Sequence, residues 1–126
     1  MSLSAVLKWY NKIPPAERDM PLIPYGGKLY SPNEVLREVK ANTPVGKALQ
    51  AIIEAGHLTS YQTLKEIAKA RLIWMLQHLP PGAGFVSIGG KTYTAEEMIK
   101  LIKEEKYPAN IFIEHEIQTI EKRMRP

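Results

Sequence analysis

Two stretches of this chain carry one pattern, Gly26-Gly-Lys-Leu-Tyr-Ser-Pro-Asn-Glu34 and Gly89-Gly-Lys-Thr-Tyr-Thr-Ala-Glu-Glu97. Each begins with a glycine pair suited to positive φ, which favours a tight hairpin turn. A lysine and two strand-forming residues follow, and then a hydroxyl residue with Glu three positions on, the signature of a capping box. The same local sentence, turn, short strand, capped helix, is therefore written twice. Any fold for this chain must place two such units.

The flanking sequence extends the likeness. Leu3, Val6, Leu7 and Tyr10 recur at helical spacing ahead of Pro14-Pro15, so a first helix is expected over Ser2–Ile13. Pro15 to Met20 suits one further helical turn. Pro21-Leu-Ile-Pro-Tyr25 holds two prolines and reads as an edge strand at best, pairing with Lys28-Leu-Tyr30 across the Gly26-Gly27 turn. Ser31-Pro32 opens a helix with Val35, Leu36 and Val39 on its apolar face, ending near Asn42. Thr43-Pro44 opens the next, with Val45, Leu49, Ile52 and Ile53 inward and Gly56 as its C-cap.

After His57-Leu58 the longest helix is expected from Thr59 or Ser60 to about Leu79. Tyr61, Leu64, Ala68, Leu72, Met75 and Leu79 form one stripe on it, with Ile67, Ala70, Ile73 and Trp74 beside, which predicts a central position. Pro80-Pro-Gly-Ala-Gly84 stops it. Phe85–Ile88 and Lys91–Tyr93 read as the second hairpin, Gly89-Gly90 as its turn, and Thr94 as the cap of a helix with Met98, Ile99, Leu101 and Ile102 inward. Tyr107-Pro108 begins a last helix with Ile113, Ile117, Ile120 and Met124 on one face.

Within the repeated window Lys40/Lys103 is a further identical pair, and Leu36/Ile99 and Val39/Ile102 are near-equivalent. The expected fold is thus helix-rich α+β, a tandem duplication of a helix–β-hairpin–helix–helix unit with internal pseudo-two-fold symmetry. One domain of two similar halves, about 1–56 and 59–126, is expected. The two hairpins should lie against one another or share a small sheet, because a lone two-stranded hairpin is marginal in water.

Composition narrows the function classes. With 126 residues and 44% hydrophobic content the chain can bury a core. It has no cysteine, which removes thiolate chemistry and leaves only His, Asp and Glu for a metal. No run approaches the roughly 18 apolar residues of a membrane span, and no basic segment precedes an apolar one at the start, so a soluble cytoplasmic protein without membrane contact is expected. Lys and Arg exceed Asp and Glu by 17 to 13, a net charge of +4, which permits an acidic partner without demanding one. Abundant Lys, Glu and Ile with ten prolines suits a heat-adapted protein.

Candidate sites are few. Gly26, Gly27 and Lys28, with Gly89, Gly90 and Lys91, could cradle an anion, although the spacing matches neither the P-loop nor the dinucleotide fingerprint. Hairpin turns with a lysine guarding a strand edge explain the same residues. Tyr30 and Tyr93 could stack on bases or line a shared pocket near a two-fold. Lys65, Lys69 and Arg71 are expected on the exposed side of the long helix, where they could follow a phosphate backbone, and Lys122, Arg123 and Arg125 crowd the C-terminus. Cations in a last helical turn are also explained by the macrodipole. His57, His78 and His115 lie in separate elements without helical-spaced ligand partners, and no serine sits in a nucleophile elbow. Trp9, Trp74 and Phe112 suit core or a subunit contact.

No catalytic residue, cofactor or metal is therefore expected. The favoured function is a small basic non-enzymatic interaction or assembly module acting on a protein partner or on itself. The alternatives are nucleic-acid binding through Lys65, Lys69 and the hairpin lysines, and an enzyme with a pocket between the halves.

Overall fold

The computed structural model describes residues 2–56, 60–80 and 85–125. His57, Leu58 and Thr59, and Pro81 to Gly84 of the expected helix stop, lie outside the described residues. Among those described there are six α-helices and two antiparallel hairpins: α1 (Ser2–Lys12), β1 (Ile23–Tyr25), β2 (Lys28–Tyr30), α2 (Pro32–Lys40), α3 (Pro44–Ala55), α4 (Tyr61–Gln77), β3 (Phe85–Ile88), β4 (Lys91–Thr94), α5 (Ala95–Glu104) and α6 (Ala109–Met124). A single 3-10 turn, Pro15–Glu17, follows α1. The chain is helix-rich α+β, and no described helix is long and apolar enough to cross a membrane.

The turn and cap chemistry is the same in both units. Gly26 and Gly27 have φ of 60° and 79°, and Gly89 and Gly90 have 58° and 81°. Two successive positive φ values give the hairpin turn whose twist matches its strands, and Tyr25 faces Lys28 as Ile88 faces Lys91. Ser31 Oγ accepts the Glu34 N–H at 3.1 Å while Glu34 Oε1 accepts the Ser31 N–H at 2.9 Å. Thr94 and Glu97 make the same reciprocal pair at 3.1 and 2.8 Å. At 9 residues for α2 and 10 for α5, neither helix would hold in isolation, so packing and not propensity keeps them.

Each hairpin is carried by its own helices. β2 packs on α2 and β1 on α3, whereas β3 and β4 both pack on α5. α1 lies across α2 and α3, and α4 lies across α5 and α6. The two hairpins form two separate two-stranded sheets, so the shared sheet expected from the sequence is not made. Their strands are 3 and 4 residues long, and the helix following each turn supplies the burial that a neighbouring hairpin would otherwise give.

One apolar cluster draws on both stretches, with Val6, Trp9, Ile13, Leu22, Ile23, Val35, Leu49 and Ile53 from the first and Leu64, Ile67, Ala68, Met98, Ile102, Ile113, Ile117, Ile120 and Met124 from the second. The α6 face is the one its sequence spacing gives. On α1 the buried face is Val6 and Trp9, continued by Ile13 just past its end, and Leu3 stands out to solvent, a rotation from the expected stripe because Trp9 is the larger apolar surface to hide. α4 departs most. Its helix stops at Gln77, Tyr61 and Leu79 are exposed, and Arg71, expected outside, is 1% exposed.

The α2–α3 crossing depends on one residue. A Cβ built on Gly46 would sit 2.3 Å from the Glu38 carbonyl oxygen, so only glycine allows the two backbones to approach this closely.

Candidate functional site

The polar groups that hold the two stretches together converge on Glu17. Its carboxylate accepts Arg71 Nη2 at 2.6 Å through one oxygen, and Arg123 donates Nε at 2.9 Å and Nη2 at 2.7 Å. Arg71 also donates Nε to Glu116 Oε2 at 2.6 Å. Burial by itself would raise the Glu17 carboxyl, but the hydrogen bonds and charges of Arg123 and Arg71 outweigh it and hold it below the ordinary value of 4.5. The Arg123 guanidinium is correspondingly pushed up, chiefly by its bond to Glu17. Two cations thus meet two carboxylates, and among the described residues no buried side-chain polar atom lacks a partner. The Trp9 indole N–H donates to the Arg123 carbonyl at 3.1 Å, tying α1 to the end of α6.

Beside that tie lies a groove of about 260 Å³. Trp9, Ile53 and Met124, from α1, α3 and α6, make its apolar floor, and all three are buried. Exposed Lys8, Lys12, Arg125 and Glu54 stand around it, and Ala5 completes its lining. Ala5, Lys8, Trp9 and Lys12 fall at i, i+3, i+4 and i+7, so the wall from α1 is one helix face about two turns long. Among the described residues, none of the three cations pairs with a carboxylate.

A second feature lies at the other end of α6. Tyr107 is 66% exposed, Ile111 56%, Phe112 37%, and Tyr61 55%. Ile111 and Glu114 stand three apart on α6, Tyr107 precedes the helix, and the Tyr61 hydroxyl donates to the Glu114 carboxylate, which brings the start of α4 alongside. Among the described residues, four of the seven exposed large apolar side chains therefore belong to the starts of α4 and α6, with Tyr61 and Ile111 on the Glu114 side and Phe112 turned away from it.

The residues singled out in the sequence are placed as follows. Lys28 Nζ is 3.2 Å from Glu34 Oε2 and 4.6 Å above the Tyr30 ring, beside a shallow hollow at Gly26 and Gly27. Its charge is engaged by the capping-box carboxylate, and Glu34 is held low first by the Ser31 N–H and then by Lys28. Lys91 stands 5.1 Å over the Tyr93 ring, repeating the Lys28–Tyr30 contact beside Gly89 and Gly90. Tyr30 and Tyr93 each pack partly buried against the core, and neither lines the groove. Lys65 and Lys69 both reach Glu105, at 3.0 and 3.1 Å, and their bonds hold the Glu105 carboxyl low. Arg71 is not on their face but inside the Glu17–Glu116 cluster, because it is the group that neutralises two carboxylates from distant elements. The basic stripe expected along α4 is thereby reduced to two paired lysines.

Neither the groove nor the polar cluster gathers acid, base and nucleophile in one concavity. Among the described residues, no three His, Asp or Glu side chains assemble into a set able to hold a metal ion. Set against protein-family models, curated proteins and solved structures, the chain matches none.

Proposed function

We propose that this chain is a small non-enzymatic interaction and assembly module that self-associates through the face at the start of α6. The observation that carries the reading is the exposure of four large apolar side chains, Tyr61, Tyr107, Ile111 and Phe112, at the neighbouring starts of α4 and α6. Aromatic and aliphatic side chains held on rigid helices lose little freedom on contact and are the usual anchors of interfaces. A two-fold contact would set the face against itself. The groove supports the same class of function: about 260 Å³ falls below the roughly 300–1,000 Å³ of small-molecule sites, and suits one or two anchor side chains better than a cofactor.

The architecture is read as a tandem duplication with pseudo-two-fold symmetry in one domain. Matching φ values at the glycine pairs, matching capping boxes and matching lysine-over-tyrosine contacts support it, together with the repeated order of helix, hairpin, helix, helix. Nucleic-acid binding draws less support, since Lys28, Lys65 and Lys69 are all engaged by carboxylates of the same chain.

Sedimentation velocity over a rising concentration series tests the proposal. The wild type should shift from monomer to a larger species, and Ile111→Glu, at a solvent-facing position, should remain monomeric with an unchanged circular dichroism spectrum. A wild type that stays monomeric at about 1 mM refutes self-association by this face.

A further inference from the structure

We infer that the groove between α1, α3 and the end of α6 is a docking site for an acidic amphipathic helix of a protein partner. This site is separate from the self-association face, since Ile111 and Met124 are 13 positions apart on α6, or about 20 Å along its axis.

Three observations select that occupant. The floor is apolar and formed by Trp9, Ile53 and Met124, so the occupant must present bulky apolar side chains. The rim carries Lys8, Lys12 and Arg125 against Glu54, so its flanks must be acidic. Lys12 lies in the last turn of α1, where the helix dipole accounts for a cation, but Lys8 lies a full turn earlier and has no such explanation. Two lysines at i and i+4 repel and weaken a helix, and neither has a carboxylate partner among the described residues to offset this. They stand about 6 Å apart along the axis, the separation of two carboxylates at i and i+4 on a partner helix. Ala5, Lys8, Trp9 and Lys12 offer about two turns of wall, which is the contact length of helix-in-groove recognition.

Anisotropy titration of a labelled peptide tests this. The probe is a helical peptide of about 15 residues, with two leucines one turn apart and glutamates at i and i+4 on either side. Its controls replace every glutamate by lysine, or shuffle the same residues. Acidic-peptide binding should weaken with salt and fall about tenfold or more in the Lys8→Glu, Lys12→Glu double variant, which should in turn take up the lysine peptide. Ala5→Trp, at an exposed position, should block the groove and abolish binding while the helix content stays unchanged. The inference is overturned if the acidic and lysine peptides bind alike, if the charge reversal leaves affinity unmoved, or if no acidic-peptide binding appears at about 1 mM. A single-stranded oligonucleotide that binds more tightly than the peptide and competes for the same lysines also overturns it. None of these outcomes touches the self-association reading, which stands or falls on sedimentation.

Discussion

Replacing Glu17 by glutamine removes one negative charge and keeps the shape of the side chain, which isolates what the carboxylate contributes at the centre of the polar cluster. In the folded chain that carboxylate accepts three charge-assisted hydrogen bonds, one from Arg71 and two from Arg123. Arg71 is 1% exposed and retains Glu116, whereas Arg123 is about a quarter exposed and can turn toward water. Breaking a fully buried pair costs about 3–5 kcal/mol, and the partial exposure of Glu17 and Arg123 lowers this, so about 2–4 kcal/mol is expected. For a chain of this length that corresponds to a fall of about 10 °C in Tm. The pH dependence is the sharper test. The folded Glu17 carboxyl lies below its unfolded value of 4.5, so its stabilisation is fully present above that value and is lost as pH falls through the folded one. Glutamine does not titrate. Urea denaturation of both proteins should therefore give a constant difference from pH 7 down to about 4.5 and a closing one below it. A difference under about 0.5 kcal/mol at pH 7, or one that persists unchanged at about pH 3, would refute the assignment of the cluster as the polar link between the two stretches.

Gly46→Ala should destabilise by about 1–3 kcal/mol in a thermal melt, because the added methyl meets the Glu38 carbonyl at 2.3 Å and the helix-propensity gain of alanine, about 1 kcal/mol at most, does not offset the forced separation of α2 and α3. A stabilised variant would mean that the two helices separate at no cost. Ser31→Ala and Thr94→Ala should each cost about 1 kcal/mol by urea denaturation, and by similar amounts, since both hydroxyls accept an N–H at 3.1 Å in the same geometry. An effect in one half alone would argue against equivalent caps.

What could be read from the sequence was the chemistry that closes within a few residues. A glycine pair, a hydroxyl and a glutamate three positions on determine their turn and cap without reference to the rest of the chain, and both copies adopt the same geometry. The α6 face followed for a similar reason, as four aliphatic positions at steps of four and three leave one way to turn the helix. Arg71 was misplaced because burial of a cation is decided by partners: Glu116 lies 45 positions away and Glu17 54, and neither distance leaves a local trace. The groove was invisible on the same ground, its floor being Trp9, Ile53 and Met124 from three helices. The nearest signal was Lys8 and Lys12 at i and i+4 with no acid to balance them.

On the proposed duplication, the glycines, tyrosines and capping residues common to the two halves are engaged in building them. The glycines make turns, the tyrosines pack against the core, and Glu34 and Glu97 complete caps. Where the halves differ, the difference has a consequence. Counting from Pro44 and Pro108, the close-packed Gly46 corresponds to Asn110, an exposed residue beside Ile111 and Phe112 at the start of α6. The first half therefore spends this position on bringing α2 and α3 together, whereas the second leaves the same turn of its last helix open to solvent with apolar side chains on it. If the halves arose by duplication, turns and caps kept in both, with one helix start left exposed, are the arrangement expected of a start used for contact. Restoring the first half's solution should then remove the contact: Ile111→Lys, matching Lys47 at the corresponding position, should abolish self-association in sedimentation without loss of thermal stability. Association that survives this change would place the interface elsewhere.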